Sequence, residues 1–394
     1  MPPQTVLMPN AIAPELSVSA EWDFLLQCCR WRFGGQSDPP RASGVDASKL
    51  EMLAQRQSVA PLLYSLLQTD DPWTEQVSTE LRHRARRYVL ERTGRNLQYT
   101  AELCAVTRLF AAAGVEIIPY KGIVLGELGY GNLNERGFSD LDFMIHRRDL
   151  PTIERLLLNR GYEPEVILPR WLRPLYFYQN CEFNYALYRD GIRIFHLEPH
   201  WVTGVGRYQV NLRMEDLLPF TERGVLHHTP MHLPTGEGLL LTTLLHHASR
   251  DPLSTLRQIC DVAAILQRYA DRIDWEPFLA RLDRLRVLHL LLVALELTRE
   301  ILRLPLPDPV ERALGAASFG PVVSDLRAHL LAETAYHHPE TAARRSLRFH
   351  LRTRRHWHTK LKVVLYHGLR SVSPIGKARW YVRPKRRATA SPTP

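Results

Sequence analysis

Apolar residues in the first part of the chain recur at helical spacing. Between Glu21 and Leu67 they run through Trp22, Leu25, Leu26 and Cys29, then through Leu62, Leu63 and Leu66. A stretch rich in Gly, Pro and Ser at 34–44 separates the two groups, so helices joined by a loop are predicted. A long amphipathic helix is predicted from Thr74 to Ala113. Gly114 follows it, a residue type suited to a left-handed helix terminus. The period then shortens. Val115–Tyr120 predicts a strand, Ile123–Tyr130 a helix, Leu141–Ile145 a second strand, and Leu150–Arg160 a helix closed by Gly161. Glu182–Tyr188 and Ile192–Glu198 flank Arg189-Asp190-Gly191, and Asp-Gly between alternating runs predicts a hairpin. From Gly236 to Leu302 the pattern is helical again, with prolines following at 305–309. No internal repeat at solenoid spacing is present.

The fold class expected from this order is α+β: helices, a small mixed α/β core, then helices. The expected boundaries are a loose leader at 1–20, an N-terminal helical region at 21–113 and the α/β core at 114–232. A C-terminal helical region at 233–310 and a helical extension with a basic tail at 311–394 complete the chain.

Hydrophobic residues make up 45% of the chain and charged residues 23%, the balance of a soluble globular protein. No apolar run approaches the roughly 18 residues of a membrane span. The N-terminus has no basic, apolar signal pattern, and a cytoplasmic location is expected. The cysteines, at 28, 29, 104, 181 and 260, are odd in number. Their spacing suits neither zinc nor a disulfide framework, so reduced and mostly buried thiols are expected. The net charge of +10 is uneven. Residues 341–394 hold 15 Lys and Arg and no acid, which leaves −5 on the rest. Such a basic tail suits nucleic acid, an anionic lipid surface or an acidic partner, or a solvated helix face packed on an acidic body.

Asp140 and Asp142 stand at the start of a predicted strand. Strand side chains alternate, so both carboxylates point to one face. Adjacent carboxylates repel unless a cation lies between them, and magnesium takes oxygen ligands from carboxylates and phosphates together. Phosphoryl and nucleotidyl transfer use this arrangement. An Asp-x-Asp arises by chance about once in a chain of this length, so the neighbours carry the weight. Lys121-Gly122 forms a strand–turn–helix upstream, where a Gly lets backbone approach a phosphate and a new helix offers free N–H groups. Arg136 and Ser139 stand just before the pair. On the second hairpin strand His196, Glu198 and His200 occupy alternate positions, which makes Glu198 a third candidate carboxylate.

Other candidates are weaker. His-x-Glu-x-His at 196–200 lacks the helical spacing of common zinc sites, and Pro199 opposes a helix. His200 is expected to orient Glu198 or touch substrate. Only one of His246 and His247 can face the core of its helix. Arg257 and Asp261 lie four apart on a helix and are expected to pair. Trp201 and Trp275 are expected in the core. No Gly-x-Ser-x-Gly, P-loop or Rossmann glycine pattern occurs.

The run Tyr120-Lys121-Gly122, Gly129-Tyr130 and Arg136-Gly137-Phe138-Ser139-Asp140-Leu141-Asp142, followed by Glu198-Pro199-His200-Trp201, resembles the uncharacterised nucleotidyltransferase family. That family is NTP-transferase family five of the DNA-polymerase-β-like superfamily. His246-His247 and Asp261 fit its helical C-terminal half. The resemblance covers about Glu21 to Leu302. It implies a polymerase-β-like core, two Mg²⁺ ions (Mn²⁺ an alternative) and an NTP substrate, with ATP the expected one. By it, Asp140, Asp142 and Glu198 are metal carboxylates and catalytic residues, and Lys121, Gly122, Arg136 and Ser139 serve the nucleotide. Two readings follow: transfer of NMP to an acceptor (a small molecule, a protein or RNA), or an inactive module of the same fold that holds nucleotide or RNA. The chain departs from the family's usual pattern at Gly137, where Pro is usual, and at Pro199, where Leu is usual. Lys121-Gly122-Ile123 stands where the superfamily has Gly-Ser.

Overall fold

Four helices lead the chain in a computed structural model that describes residues 18–204, 211–249, 252–317, 319–332, 339–354 and 357–372. The leader up to residue 17 and the end of the basic tail, 373–394, lie outside the described residues. α1 (Ala20–Phe33) starts where the Ser19 side chain accepts a hydrogen bond from the Trp22 N–H, and it ends at Gly34 with φ 81°. α2 (Ala47–Arg56) and α3 (Ala60–Leu66) follow. α4 (Thr79–Ala112) is 34 residues long and is capped by Ser78. It starts five residues later than the pattern predicts, because Pro72–Gln76 forms a separate 3₁₀ turn.

The core sheet comes next. β1 (Ile117–Tyr120) leads through a helical turn, α5 (Gly122–Val124), into a wider helical turn at Leu125–Tyr130. β2 (Leu141–Ile145), α6 (Leu150–Asn159), β3 (Glu163–Pro164) and α7 (Arg173–Gln179) precede the hairpin of β4 (Tyr185–Arg189) and β5 (Ile192–His200). The sheet order is β1-β2-β5-β4-β3. Among the described strands of this sheet only the β2–β5 pair is parallel. Every residue of β1 and β2 is buried, as expected for strands covered on both faces. α4 lies against this sheet, with the Phe110 and Phe143 rings 5.6 Å apart.

α8 (Met214–Leu217) is followed by a second hairpin, β6 (Thr221–Leu226) and β7 (Thr229–Pro234), which the sequence pattern does not reveal. Its turn is His227-His228, both at positive φ (44° and 59°), in place of the Asn-Gly or Asp-Gly that favours such a turn. The helical half is α9 (Gly236–Ser249), α10 (Leu256–Tyr269), α11 (Trp275–Arg284) and α12 (Leu288–Leu302). α13 (Asp308–Gly315), α14 (Gly320–Leu331), α15 (Pro339–Thr353) and α16 (Trp357–Val372) extend it. One apolar cluster joins the N-terminal helices, the sheet and the C-terminal helices, from Trp22 to Phe349. Trp201 and Trp275 are buried in it. Among the described residues no helix is long and apolar enough to cross a membrane. All five cysteines are free and buried.

Candidate active site

Sheet register brings the acidic residues together. Asp142 on β2 stands opposite Glu198 on β5, one residue after Leu141 pairs with Leu197. Alternation along each strand then puts Asp140 on the same face as Asp142, and His196 and His200 on the same face as Glu198. Glu198 belongs to two groups whose ligand atoms all lie within 4.8 Å of one another. One contains Asp140 and His196, the other Asp142 and His200. The three carboxylates line one cleft of about 550 Å³ with Lys121, Gly122, Arg136 and Ser139. Arg92 and Arg95 of α4, His246 of α9 and Arg257 of α10 line it too. A cavity of about 700 Å³ beside Phe177 and Trp201 is larger, but none of the sequence-predicted site residues lines it.

Lys121 and Gly122 make the turn out of β1. Lys121 has φ 59° and ψ −147°, a conformation a non-glycine residue adopts at a cost. Gly122 has φ 26°, and a Cβ there would lie 3.4 Å from the Asp140 carbonyl oxygen. The turn is packed directly against the Asp140 loop. Tyr120 pairs with Asp142 in the antiparallel register of β1 and β2, which carries Lys121 to the same point. Its Nζ donates to Asp142 Oδ1 at 2.8 Å, and His200 Nε2 donates to the same oxygen at 3.0 Å. In the sequence reading Lys121 serves the nucleotide; in the structure its partner is the central carboxylate. His200 Nδ1 lies 3.3 Å from Glu182 Oε2, and His196 sits between Glu165 and Glu198 at 3.3 and 3.5 Å.

These contacts separate the two aspartates electrostatically. Burial pushes the Asp140 carboxyl up, and the charges of Asp142 and Glu198 add to it, so it titrates at about 6. Burial also acts against the Asp142 carboxylate, but Lys121 and then His200 outweigh it. Asp142 is held well below the ordinary carboxylate range. Burial works against the charge on His200, which Glu182 and Asp142 nevertheless favour, and its pKa lies well above the ordinary value.

The Asp140 loop is held from α4. Asn96 Nδ2 donates to the Leu133 carbonyl and to Asn134 Oδ1, both at 3.0 Å, and the Tyr99 hydroxyl donates to the Ser139 carbonyl at 3.0 Å. Ser139 itself is exposed at the cleft. Arg136 is 4% exposed and turns to the helical half. Its Nε and Nη2 donate to Asp261 Oδ1 and Oδ2 of α10 at 2.9 and 3.2 Å. Tyr130 donates its hydroxyl hydrogen to Asp261 Oδ1 at 2.8 Å, and His247 of α9 reaches Oδ2 at 2.9 Å. Asp261 therefore pairs with Arg136, a residue 125 positions away, and not with Arg257 as helical spacing predicts. Of the two histidines on α9, His247 takes the buried structural position.

Residues 43–303 match the model of a family described as uncharacterised nucleotidyltransferase. The chain belongs to this family. The match takes in α2 to α12, with every residue of the cleft. The small mixed sheet between helical flanks agrees with an α+β fold of nucleotidyltransferase type. No curated protein and no solved structure matches the chain. Membership of the family makes the chain a nucleotidyltransferase by class, and the acidic and histidine groups of the cleft could hold a metal ion.

Proposed function

We propose that the chain is a Mg²⁺-dependent nucleotidyltransferase that moves NMP from an NTP, with ATP the first candidate, to an acceptor nucleophile. The observation that carries the proposal is the side-by-side pairing of Asp142 and Glu198 across parallel strands, with Asp140 on the same face of one cleft. The donor set fits the ion. It consists of carboxylate oxygens, which magnesium prefers, and the Asp140 carboxyl is pushed up by burial and by its acidic neighbours, as a site short of positive charge would be. Asp140, Asp142 and Glu198 would hold the ion. Bound there, magnesium would supply charge neutralisation for the reacting phosphate.

The residues of the chain have separate tasks in this reading. Lys121 and His200 fix the Asp142 carboxylate in place and ionised. The Lys121-Gly122 turn and the Ser139 loop form the floor on which the phosphates lie. Glu198, less buried than Asp142, faces the acceptor as metal ligand or base. In the transfer, the acceptor oxygen forms a bond to the α-phosphorus. The bond to the β-phosphate oxygen breaks, pyrophosphate leaves with the electron pair, and the acceptor proton passes to a base.

The test is incubation with α-labelled NTP, Mg²⁺ and a cell extract as acceptor source, comparing wild type with Asp140→Ala and Asp142→Ala. Label transfer in wild type that falls by about 10²-fold or more in both variants supports the reading. Failure of wild type to bind any NTP, or transfer untouched by both changes, overturns it.

A further inference from the structure

The cleft carries a second charge pattern outside the acidic motif. Arg92 and Arg95 reach it from α4 and Arg257 from the first turn of α10. The two cations that the motif itself contains already have partners, Lys121 in Asp142 and Arg136 in Asp261. Among the described residues no carboxylate lies within ion-pair distance of Arg92, Arg95 or Arg257. Some other half-buried arginines do have one: Arg32 pairs with Glu135 and Arg299 with Glu296.

Arg92 is the most informative. Its guanidinium lies over the Tyr88 and Phe138 rings, and its hydrogen bonds are all to neutral acceptors at the long end of the range: the Tyr88 hydroxyl at 3.4 Å and the carbonyls of Arg136 and Phe138 at 3.5 and 3.4 Å. Its Nε is buried without a partner, and so is that of Arg257; Arg84 and Arg173 share this feature, but their guanidinium ends have carboxylates. A guanidinium taken from water and given no anion is costly, and unpaired buried donors mark a place where an acceptor is missing. Gly137 keeps room for it. A Cβ at that position would lie 3.4 Å from Arg92 Nη2 and 3.3 Å from Pro61 Cγ.

We propose that Arg92 and Arg257 seat the polyphosphate chain of the nucleotide, with Arg95 at its edge. This rests on the nucleotidyltransferase reading and names the residues of that site which take the phosphates. Two guanidinium forks on separate helices match phosphate oxygens in a way a single lysine does not. They face three carboxylates that would otherwise repel a polyanion. The cleft is thus divided into an acidic strand side for the cation and an arginine side for the phosphates. Contact at α10 falls to the Arg257 side chain and not to helix-end amides, because the Leu256 and Arg257 N–H groups already donate to Gln57. Arg136 is left as a positioning residue that ties the loop to α10.

The test is calorimetric titration of the full chain with ATP and Mg²⁺, for wild type, Arg92→Gln, Arg257→Gln and the double variant. Arg155→Gln, an exposed change on α6, serves as the control. The expected result is a tenfold or greater loss of ATP affinity in each cleft variant and none in the control. Thermal melting shows whether Arg92→Gln folds, and Arg257→Gln decides the matter if it does not. Wild type that binds ATP while Arg257→Gln binds within threefold of it overturns the assignment and leaves the nucleotidyltransferase reading standing. Where wild type does not bind ATP the titrations are repeated with GTP, CTP and UTP, and wild type that binds none of the four overturns both.

Discussion

Two buried polar clusters lie on either side of Arg136, and they are built on opposite principles. Around Asp261 every charge is answered: one carboxylate accepts from a bidentate arginine, a tyrosine and a histidine, and it is fully buried. Around Asp142 three carboxylates share one face; the central one has a close lysine and histidine, and Glu198 has His196 and His200 at the longer distances of 3.5 and 3.6 Å. The first cluster has its charges matched, although His247 Nδ1 has no partner, and it holds α9, α10 and the Asp140 loop together. The second is short of positive charge on the strand side and short of negative charge on the arginine side. A satisfied network fixes structure, whereas an unsatisfied one marks a place for ligands.

Removing one partner from the completed cluster should have the largest effect. Asp261→Asn leaves Arg136 buried with its counter-charge gone, and about 3–5 kcal/mol of stability is expected to be lost in urea unfolding. A loss below about 1 kcal/mol would erase the contrast between the clusters. His200→Gln removes a group that holds the Asp142 carboxylate from behind. It should lower metal affinity or turnover by about 10–100-fold, read by magnesium titration of the transfer reaction. Asp140→Asn should abolish transfer yet raise stability by about 1 kcal/mol in the presence of EDTA, since it removes like-charge repulsion. Destabilisation by this change would mean that Asp140 has structural partners of the Asp261 kind.

The smallest expected effect is a pH dependence. Burial holds the pKa of His247 below its ordinary 6.5, so the unfolded chain takes up a proton that the folded chain refuses. Burial acts against the Asp261 carboxylate, but Arg136 and then His247 outweigh it and depress its pKa. Both groups give stability at neutral pH that is lost on acidification. The His247 share begins to go as pH falls below 6.5, and the Asp261 share goes below the ordinary carboxylate range. Unfolding free energies at pH 7 and pH 5 should therefore fall less steeply for His247→Gln than for wild type. Equal slopes would show that His247 takes up its proton while still folded.

Local pattern was enough for much of the fold. Asp190-Gly191 marks the β4–β5 turn, and the alternation through 192–198 puts Glu198 on the acidic face. Strand periodicity made the acidic pair legible, and alternation in its own strand together with the family resemblance pointed to Glu198, but its place opposite Asp142 is a matter of sheet register. The partners were not. Lys121 reaches Asp142 only through the antiparallel register of β1 and β2, and Arg136 reaches Asp261 across 125 residues of chain. Nothing local distinguishes Arg92 from its neighbours on α4, where Arg86, Arg87, Arg92 and Arg95 share one helix. What singles it out is its half-buried place in the lining of the cleft, which is a tertiary property. The β6–β7 hairpin was missed because two histidines in a left-handed turn carry no turn signature.

The reach of α4 and α10 into the cleft bears on the order in which the molecule can be made. Asp140, Asp142 and Glu198 leave the ribosome well before Arg257 and Asp261 do, and a nascent chain folds from its N-terminus. For roughly sixty residues of synthesis after Glu198, the acidic strands exist without the helix that anchors their loop and supplies the second guanidinium. A chain halted in that interval would carry the whole sequence motif and yet have no finished cleft. An excised α/β segment, 114–232, would remain in that unfinished state permanently.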